Sequence, residues 1–172
     1  MNKQLHFHLL ALSYKIRDLR RPRRKILEEA GIKPGDRVLD FGCGPGSYIL
    51  PLVEMVGPPG KIYALDINPL AIKIVQRLAE RKQLKNISTI NSDGPTGLAD
   101  DYLDVILLYD VFHDLQHPQE VLRELHRILK PGGILSVSDH HLRGGQVIQA
   151  LTEGNLFKLP KKGRFTYSFN KI

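Results

Sequence analysis

Three glycines and an aspartate form the most chemically suggestive stretch of the sequence, VLDFGCGPGS at residues 38–47. Gly42, Gly44 and Gly46 lie at alternate positions directly after a run of strand-forming residues. Such a turn is typical of a phosphate-binding loop, because glycine allows positive φ and close backbone approach, although a plain tight turn uses the same residues. Asp40 places a carboxylate at the end of the same strand, where it would repel a phosphate. The combination favours a ligand that carries positive charge.

S-adenosylmethionine has this combination of properties, because it carries a sulfonium and an ammonium group next to an adenosine. The stretch resembles the first motif of the class I S-adenosylmethionine-dependent methyltransferases. It is similar in particular to the small ubiquinone/menaquinone-methyltransferase-like group, often called methyltransferase type 11 domains, and the resemblance covers nearly the whole chain. It implies S-adenosylmethionine as the methyl donor and S-adenosylhomocysteine as the product. The cofactor-binding residues that we predict in this loop are Asp40, Gly42, Cys43, Gly44 and Gly46.

Asp66 ends the second predicted strand, 26 positions after Asp40. This separation is somewhat longer than the roughly 20 residues expected for an acid that binds ribose hydroxyls. Helix capping is the alternative role for Asp66, but Asn68 already precedes Pro69 in the position of an N-cap. We therefore predict that Asp66 binds the ribose, and the resemblance places Ile67 against the adenine.

Three later stretches complete the resemblance. In NSDG, residues 91–94, Asp93 occupies the position at which the family accepts a hydrogen bond from the adenine amino group, and we include Gly94 in the predicted site. An Asx-type turn before Pro95 is an alternative role for Asp93. LLYDVFHDL resembles the fourth motif, in which the backbone around Tyr109 faces the methionine part of the donor, and LKPGGILSVSD follows it.

Methyl transfer depends chiefly on holding donor and acceptor together, and a general base is optional. Alignment contributes about 7 to 11 kcal/mol, whereas a base adds roughly a hundred- to ten-thousandfold in rate. His113 is the candidate catalytic base because the family's acceptor pocket lies beside this loop and histidine titrates near neutral pH; His140 and His141 are second choices. Structural or solvent-facing roles are the alternative for each of them. Pro118 interrupts the helical spacing of His113 with His117, so we predict no metal site.

The chain between residues 38 and 139 alternates strand patterns with helix patterns, which is typical of a parallel sheet. We predict a Rossmann-like α/β fold, with helices on both faces of a seven-stranded, mostly parallel sheet and an antiparallel final hairpin. The predicted strands are residues 37–41, 61–66, 86–92, 103–109, 133–139, 157–159 and 164–172. Two predicted helices begin at Pro69 and at Pro118, and a third covers residues 144–157.

The N-terminal residues 1–30 are predicted to form a basic helical segment of a single domain that spans residues 1–172. Leu5, Leu9, Leu12 and Ile16 follow a helical stripe, and a second helix is predicted from Arg23 to Ala30. The segment either covers the pocket, with Tyr14 and Arg17 reaching donor or acceptor, or caps the core.

Composition excludes several classes of function. Cys43 is the only cysteine, so the chain forms no internal disulfide and no thiolate metal cage of its own. The formal net charge is +7, and eight Lys and Arg against three Asp and Glu lie in residues 1–30. Residues 143–172 hold six Lys and Arg against one acidic residue. No apolar stretch reaches the roughly 20 residues of a membrane span, and no secretory signal is evident, so we expect a cytoplasmic protein.

The acceptor is predicted to be a small molecule, because the motifs of amino-methylating and C5-cytosine nucleic-acid enzymes are absent. RNA or an anionic surface remains an alternative partner, since seven basic residues lie within residues 15–25. The alternative functions are a donor-binding regulatory or scaffold domain without turnover, and an RNA methyltransferase. A nicotinamide-dependent oxidoreductase is disfavoured because its fingerprint is GxGxxG.

Overall fold

The computed structural model describes residues 23–172, which form five helices and seven strands. The helices are α1 (Arg23–Glu29), α2 (Ile49–Val56), α3 (Pro69–Lys82), α4 (Pro118–Ile128) and α5 (Gly144–Thr152), with a short 3-10 helix at Phe112–Asp114. The strands are β1 (Arg37–Phe41), β2 (Lys61–Asp66), β3 (Ile87–Asn91), β4 (Leu103–Tyr109), β5 (Leu129–Ser138), β6 (Phe157–Lys162) and β7 (Tyr167–Lys171). The predicted helix around Leu5 to Ile16, and the roles considered for Tyr14 and Arg17, lie outside the described residues.

The seven strands form one sheet in the order β3-β2-β1-β4-β5-β7-β6. The first five strands are parallel, whereas β7 pairs antiparallel with both β5 and β6. The predicted Rossmann-like sheet with an antiparallel final hairpin is therefore confirmed. The strand order reverses between β1 and β4, and open α/β sheets bind their ligands at such a switch point, beyond the carboxyl ends of the strands.

Both faces of the sheet are covered, which explains the nearly continuous apolar sequence of β4. On one face α1, α2 and α3 pack over a cluster that includes Leu27, Ile49 and Val75. On the other face α4 and α5 pack over a cluster that includes Leu122 and Val147. Because neighbouring strand residues point to opposite faces, each strand contributes alternately to the two clusters.

Local sequence signals explain most of the boundaries. The side chain of Asn68 accepts a hydrogen bond from the backbone N–H of Leu70 at 3.0 Å, which confirms the predicted cap of α3. Helix α5 ends at Thr152, earlier than predicted, because Gly154 and Asn155 adopt positive φ and turn the chain. Strand β5 begins earlier than predicted, since the fully buried Leu129 already pairs with β4 before an irregularity in the register.

Residues 23–172 contain neither a helix that could span a membrane nor a group of side chains that could hold a metal ion. None of the helices in this range has both the length and the apolar character needed to cross a bilayer. Over the same residues, His, Cys, Asp and Glu side chains form no group of three that could hold a metal ion.

Candidate functional site

The glycine loop follows β1 at the carboxyl edge of the sheet, directly beside the switch point. Gly42, Gly44 and Gly46 have φ of 76°, 51° and 83°, a region in which residues with a Cβ are strained. The N–H groups of Gly42 and Cys43 both donate to the carbonyl of Leu65, at 2.8 and 2.9 Å. The loop is therefore fastened to the end of β2.

The three glycines differ in what a side chain would meet. A Cβ on Gly42 would lie 2.7 Å from a methyl group of Val111, and one on Gly46 would lie 3.1 Å from a methyl group of Val75. A Cβ on Gly44 would meet no heavy atom within 4 Å among the described residues. A side chain at Gly42 would thus collide with Val111 and one at Gly46 would press on Val75, whereas Gly44 borders open space that a ligand can enter.

Asp40 lies beneath this loop and is only 2% exposed. Its Oδ2 atom finds no hydrogen-bond partner within residues 23–172. Burial, and then the charge of Asp66, raise the pKa of Asp40 to about 7, while the guanidinium of Arg23 opposes that rise. A buried carboxyl oxygen without a donor, next to a loop with open space, fits a ligand that supplies a hydrogen-bond donor and positive charge.

Arg23 and Tyr48 belong to this buried environment and were not identified from the sequence. The guanidinium of Arg23 lies 4.6 Å from the ring centre of Tyr48 and donates to its hydroxyl. The Tyr48 ring packs edge-on against Tyr109, with 5.1 Å between centroids. Arg23 carries no distinguishing sequence signal, because it stands within a basic run that is usually solvated.

Tyr109 is buried, and its side chain faces the cluster under α1 and α2. Its hydroxyl shares a 2.8 Å hydrogen bond with the Ser136 hydroxyl. The ring therefore serves the core, and the predicted contact of Tyr109 with a cofactor is limited to its backbone. Cys43 is also buried, and burial raises the pKa of its thiol, so it is uncharged at neutral pH.

Asp66 is held by backbone donors from both sides. Its Oδ2 accepts from the N–H of Gly44 and its Oδ1 from the N–H of Asn68, each at 2.8 Å. Burial raises the pKa of Asp66, although these two hydrogen bonds oppose the rise. The carboxylate thus lies at the glycine loop, and its binding of a ribose stays a prediction.

Ile67 is 67% exposed, more than any other large apolar side chain among the described residues. The amide of Asn91 donates to the carbonyls of Asp66 and Ile67, at 2.8 and 3.0 Å, and so holds this segment against the end of β3. An exposed isoleucine on a fixed backbone is a suitable flat contact for an aromatic base. Asn91 was not identified from the sequence.

The predicted adenine-binding segment lies at the end of β3. Asp93 is exposed and Gly94 is buried. The turn at this point is made by Ser92, whose hydroxyl accepts from the N–H of Gly94 at 3.2 Å. Since Ser92 and not Asp93 makes this contact, the Asp93 carboxylate is left facing solvent.

His113 is bound by Asp139, a residue that the sequence analysis did not select. The Nδ1 atom of His113 lies 2.9 Å from Asp139 Oδ2, and its backbone N–H donates to the same oxygen at 3.1 Å. Burial alone would raise the pKa of Asp139, but the hydrogen bonds from His113 and from the His141 N–H hold it below its usual value. Asp139 is therefore an ionised partner for the His113 ring.

The two other candidate histidines continue from this pair as a stack. The ring of His141 lies 4.1 Å from that of His113 and 4.0 Å from that of His140, between centroids. His140 is bound by Asp110, which accepts from its backbone N–H and from Nδ1. The structure thus brings the three histidines together at the carboxyl ends of β4 and β5.

The sequence of this chain is similar to those of known proteins. A family described as a methyltransferase domain matches residues 32–169. A ubiquinone/menaquinone biosynthesis C-methyltransferase from Ectopseudomonas mendocina is 28% identical over 145 residues, which cover 83% of this chain and 57% of that protein. A homologue of the same name from Pseudomonas putida is 32% identical over 117 residues, covering 67% of this chain and 46% of its own length.

One solved structure matches over nearly the full length of both chains. A SAM-dependent methyltransferase from Aquifex aeolicus is 26% identical with a TM-score of 0.76, and the match covers 92% of this chain and 96% of that one. The chain spans about half the length of the curated relatives that it matches. The residues of this chain that match the family, 32–169, include the glycine loop and the three histidines described above.

Proposed function

Because the chain belongs to the class I S-adenosylmethionine-dependent methyltransferases, we propose that it transfers a methyl group from S-adenosylmethionine to a small-molecule acceptor. The observation that carries this proposal is the buried oxygen of Asp40, without a donor among residues 23–172, beside the open space at Gly44. When bound, S-adenosylmethionine supplies a methyl group on a positively charged sulfur, which leaves as a neutral thioether.

The residues around the glycine loop would hold this cofactor. Asp40 offers a carboxylate to the cationic end, and Gly44 leaves room for the ligand beside the backbone. Asp66 lies within reach of the same loop for the ribose hydroxyls, and exposed Ile67 offers an apolar contact for the adenine. Asp93 and Gly94 extend the proposed adenine site at the end of β3.

The chemistry needs alignment first and proton transfer second. The acceptor atom forms a bond to the methyl carbon while the carbon–sulfur bond breaks and its electron pair stays on sulfur. A hydroxylated acceptor gives up its hydroxyl proton as it attacks, and His113 accepts that proton on Nε2. This assignment is supported by the orientation of the His113 ring, whose Nδ1 faces Asp139.

The acceptor class that the comparisons support best is a hydroxylated aromatic ring. Several relatives are named for methylation in ubiquinone and menaquinone biosynthesis, and one from Geobacillus stearothermophilus is named demethylmenaquinone methyltransferase. Such a ring becomes nucleophilic when its hydroxyl loses a proton, which gives the His113 base a purpose. We expect the activity in the cytoplasm.

The direct test is turnover with labelled methyl donor and a panel of small acceptors, with soluble quinols, phenols, amines and thiols as separate groups. We expect label in the hydroxylated aromatic group and formation of S-adenosylhomocysteine. Saturable donor binding without transfer to any acceptor would support a regulatory or scaffold domain instead. Stabilisation by NAD and not by S-adenosylhomocysteine would indicate an oxidoreductase.

A second candidate property is contact with an anionic surface. Strand β7 runs antiparallel to β5, with Tyr167 opposite Val137, so the β6–β7 turn lies at the same edge as the histidine stack. This turn and its neighbours expose Arg143, Lys161, Lys162 and Arg164, which we call the basic edge. We propose that the basic edge contacts anionic phospholipid while the acceptor enters the site.

Vesicle sedimentation tests this second proposal. Full-length protein should bind phosphatidylglycerol vesicles and not phosphatidylcholine vesicles, with affinity that falls as salt rises. Replacing Lys161, Lys162 and Arg164 with Gln should weaken binding. The matched control replaces three exposed cations of α3, namely Arg77, Arg81 and Lys82, and should bind as the wild type does. Equal loss in both variants, or preference for RNA over vesicles, would overturn it.

A further inference from the structure

We propose that Asp139 is a positioning residue that fixes the tautomer of His113, with hydrogen on Nδ1 and the lone pair of Nε2 available to take a proton. The catalytic consequence rests on the proposed methyl transfer, whereas the tautomer itself is a property of the free protein. The sequence gives no indication of this pairing, since Asp139 follows β5 and His113 follows β4.

The Asp139 carboxylate is a hydrogen-bond acceptor with a fixed position. Its side chain is fully buried, and one of its oxygens receives both the backbone N–H and the Nδ1 of His113. The other oxygen receives the N–H of His141 at 3.0 Å. With all three contacts made by the two adjoining loops, the carboxylate has one orientation relative to the His113 ring.

The hydrogen-bonding capacities of the Asp139 carboxylate and the His113 imidazole determine which ring nitrogen carries the hydrogen. An ionised carboxylate only accepts, so a neutral imidazole bonded to it through Nδ1 must carry its hydrogen on Nδ1. The Nε2 atom is then left with a lone pair and is able to take a proton. Asp114 is exposed, and its Oδ2 lies 3.4 Å from Nε2 of His113. A proton taken up on Nε2 would therefore also face a carboxylate.

A purely structural role for Asp139 must be separated from this one. Asp110 makes the same kind of double contact with His140, so the loops after β4 and β5 are joined by two crossed pairs. Either carboxylate therefore fastens one loop to the other. Of these two carboxylates, Asp139 is the one bonded to the His113 ring, and the two roles differ in whether the ring changes its tautomer.

The experiment compares three Asp→Asn variants of the full chain. Asp139→Asn removes the obligatory acceptor, because the amide can donate to Nδ1 and leave the hydrogen on Nε2. Asp110→Asn breaks the other crossed pair. Asp100→Asn is the remote control, since Asp100 is an exposed residue that contacts Arg127. Side-chain nitrogen NMR of His113 without ligand gives the tautomer, and labelled-donor assays give kcat and KM.

In the wild type we expect the Nδ1–H form of His113, kept in Asp110→Asn and Asp100→Asn and lost in Asp139→Asn. Turnover of Asp139→Asn should fall at least about a hundredfold in kcat, with the donor KM changed less than about threefold. Asp100→Asn should have wild-type kcat.

Two results would overturn the proposal. One is the Nε2–H form of His113 in the wild type, which needs no variant to fold. The other is wild-type kcat in a folded Asp139→Asn protein. Absence of methyl transfer in the wild type, together with the expected tautomer, would reject the proposed function while supporting the positioning by Asp139.

Discussion

Asp40 is the residue on which the cofactor proposal depends. Its carboxyl group is buried next to Asp66 and Arg23, and one oxygen has no donor among the described residues. A buried polar atom without a hydrogen-bond partner costs free energy, and the ligand that we propose would complete the contacts of this oxygen. A bound ammonium group would supply the missing donor and favour the ionised form.

The pKa of about 7 for Asp40 predicts a pH-dependent stability of the free protein. An unfolded aspartate releases its proton near pH 4, so the folded state binds more protons between about pH 4 and 7. The free energy of unfolding therefore falls as pH rises through this window. Asp40→Asn should remove that slope, so its melting temperature should improve relative to wild type from pH 5 to pH 8. A difference in melting temperature between the two proteins that is the same at every pH in this range would contradict the assignment.

Gly44 permits a test of the open space beside the loop. Gly44→Ala should lose most affinity for S-adenosylhomocysteine, because the added methyl group enters the proposed ligand space. The strained φ of 51° should also cost about 1 to 2 kcal/mol of stability. Gly132→Ala is the matched control, since Gly132 has φ of 80°, similar open space and a position at the opposite edge of the sheet. It should be destabilised comparably but bind normally in calorimetry. Equal affinity in both variants would place the ligand elsewhere.

At the scale of elements, the Glu29 carboxylate joins α1 to the β6–β7 turn. It accepts from the backbone N–H groups of Arg164, Phe165 and Thr166, each at 2.9 Å, and from the Thr166 hydroxyl at 3.0 Å. The partners are 135 to 137 positions apart in the chain. These contacts bring the basic edge beside α1.

Glu29→Gln should lower stability by about 1 to 3 kcal/mol, because charge-assisted hydrogen bonds are replaced by weaker ones and some donors lose their acceptor. Burial opposes ionisation of Glu29, but the hydrogen bonds lower its pKa below the usual value. The contribution of Glu29 to stability is therefore present above the pKa of the unfolded chain and is lost as pH falls through the pKa of the folded protein. Chemical denaturation at pH 7 and pH 3 measures both effects. Glu28→Gln, at an exposed position on the same helix, should change stability little; a similar loss in the two variants would contradict this account.

Strands and helices could largely be predicted from the sequence, whereas the contacts between loops could not. Strand β4 was predictable because its run of apolar residues is required by cover on both faces, and α3 because Asn68 and Pro69 mark its start. The pairing of His113 with Asp139 depends on two loops that meet only when β4 and β5 lie side by side. Glu29 likewise follows no local pattern that indicates its partners. The glycine loop was visible because its backbone requirement is local.

At the scale of the whole molecule, one edge of the sheet collects every proposed function. The glycine loop and Asp66 lie at the ends of β1 and β2, and the histidine stack lies at the ends of β4 and β5. Reversal of strand order between β1 and β4 creates the space between the two groups. The antiparallel β7 adds the basic edge to the same side. The residues that we propose for donor binding, proton transfer and surface contact thus lie at the same edge of the sheet.

The most direct test of this account is calorimetric titration of S-adenosylhomocysteine into the wild-type protein at pH 8, where Asp40 is ionised. The account predicts saturable binding at one site per chain, with affinity that weakens as pH is lowered below about 7. Absence of binding by protein that is folded by circular dichroism and thermal melting would contradict the account.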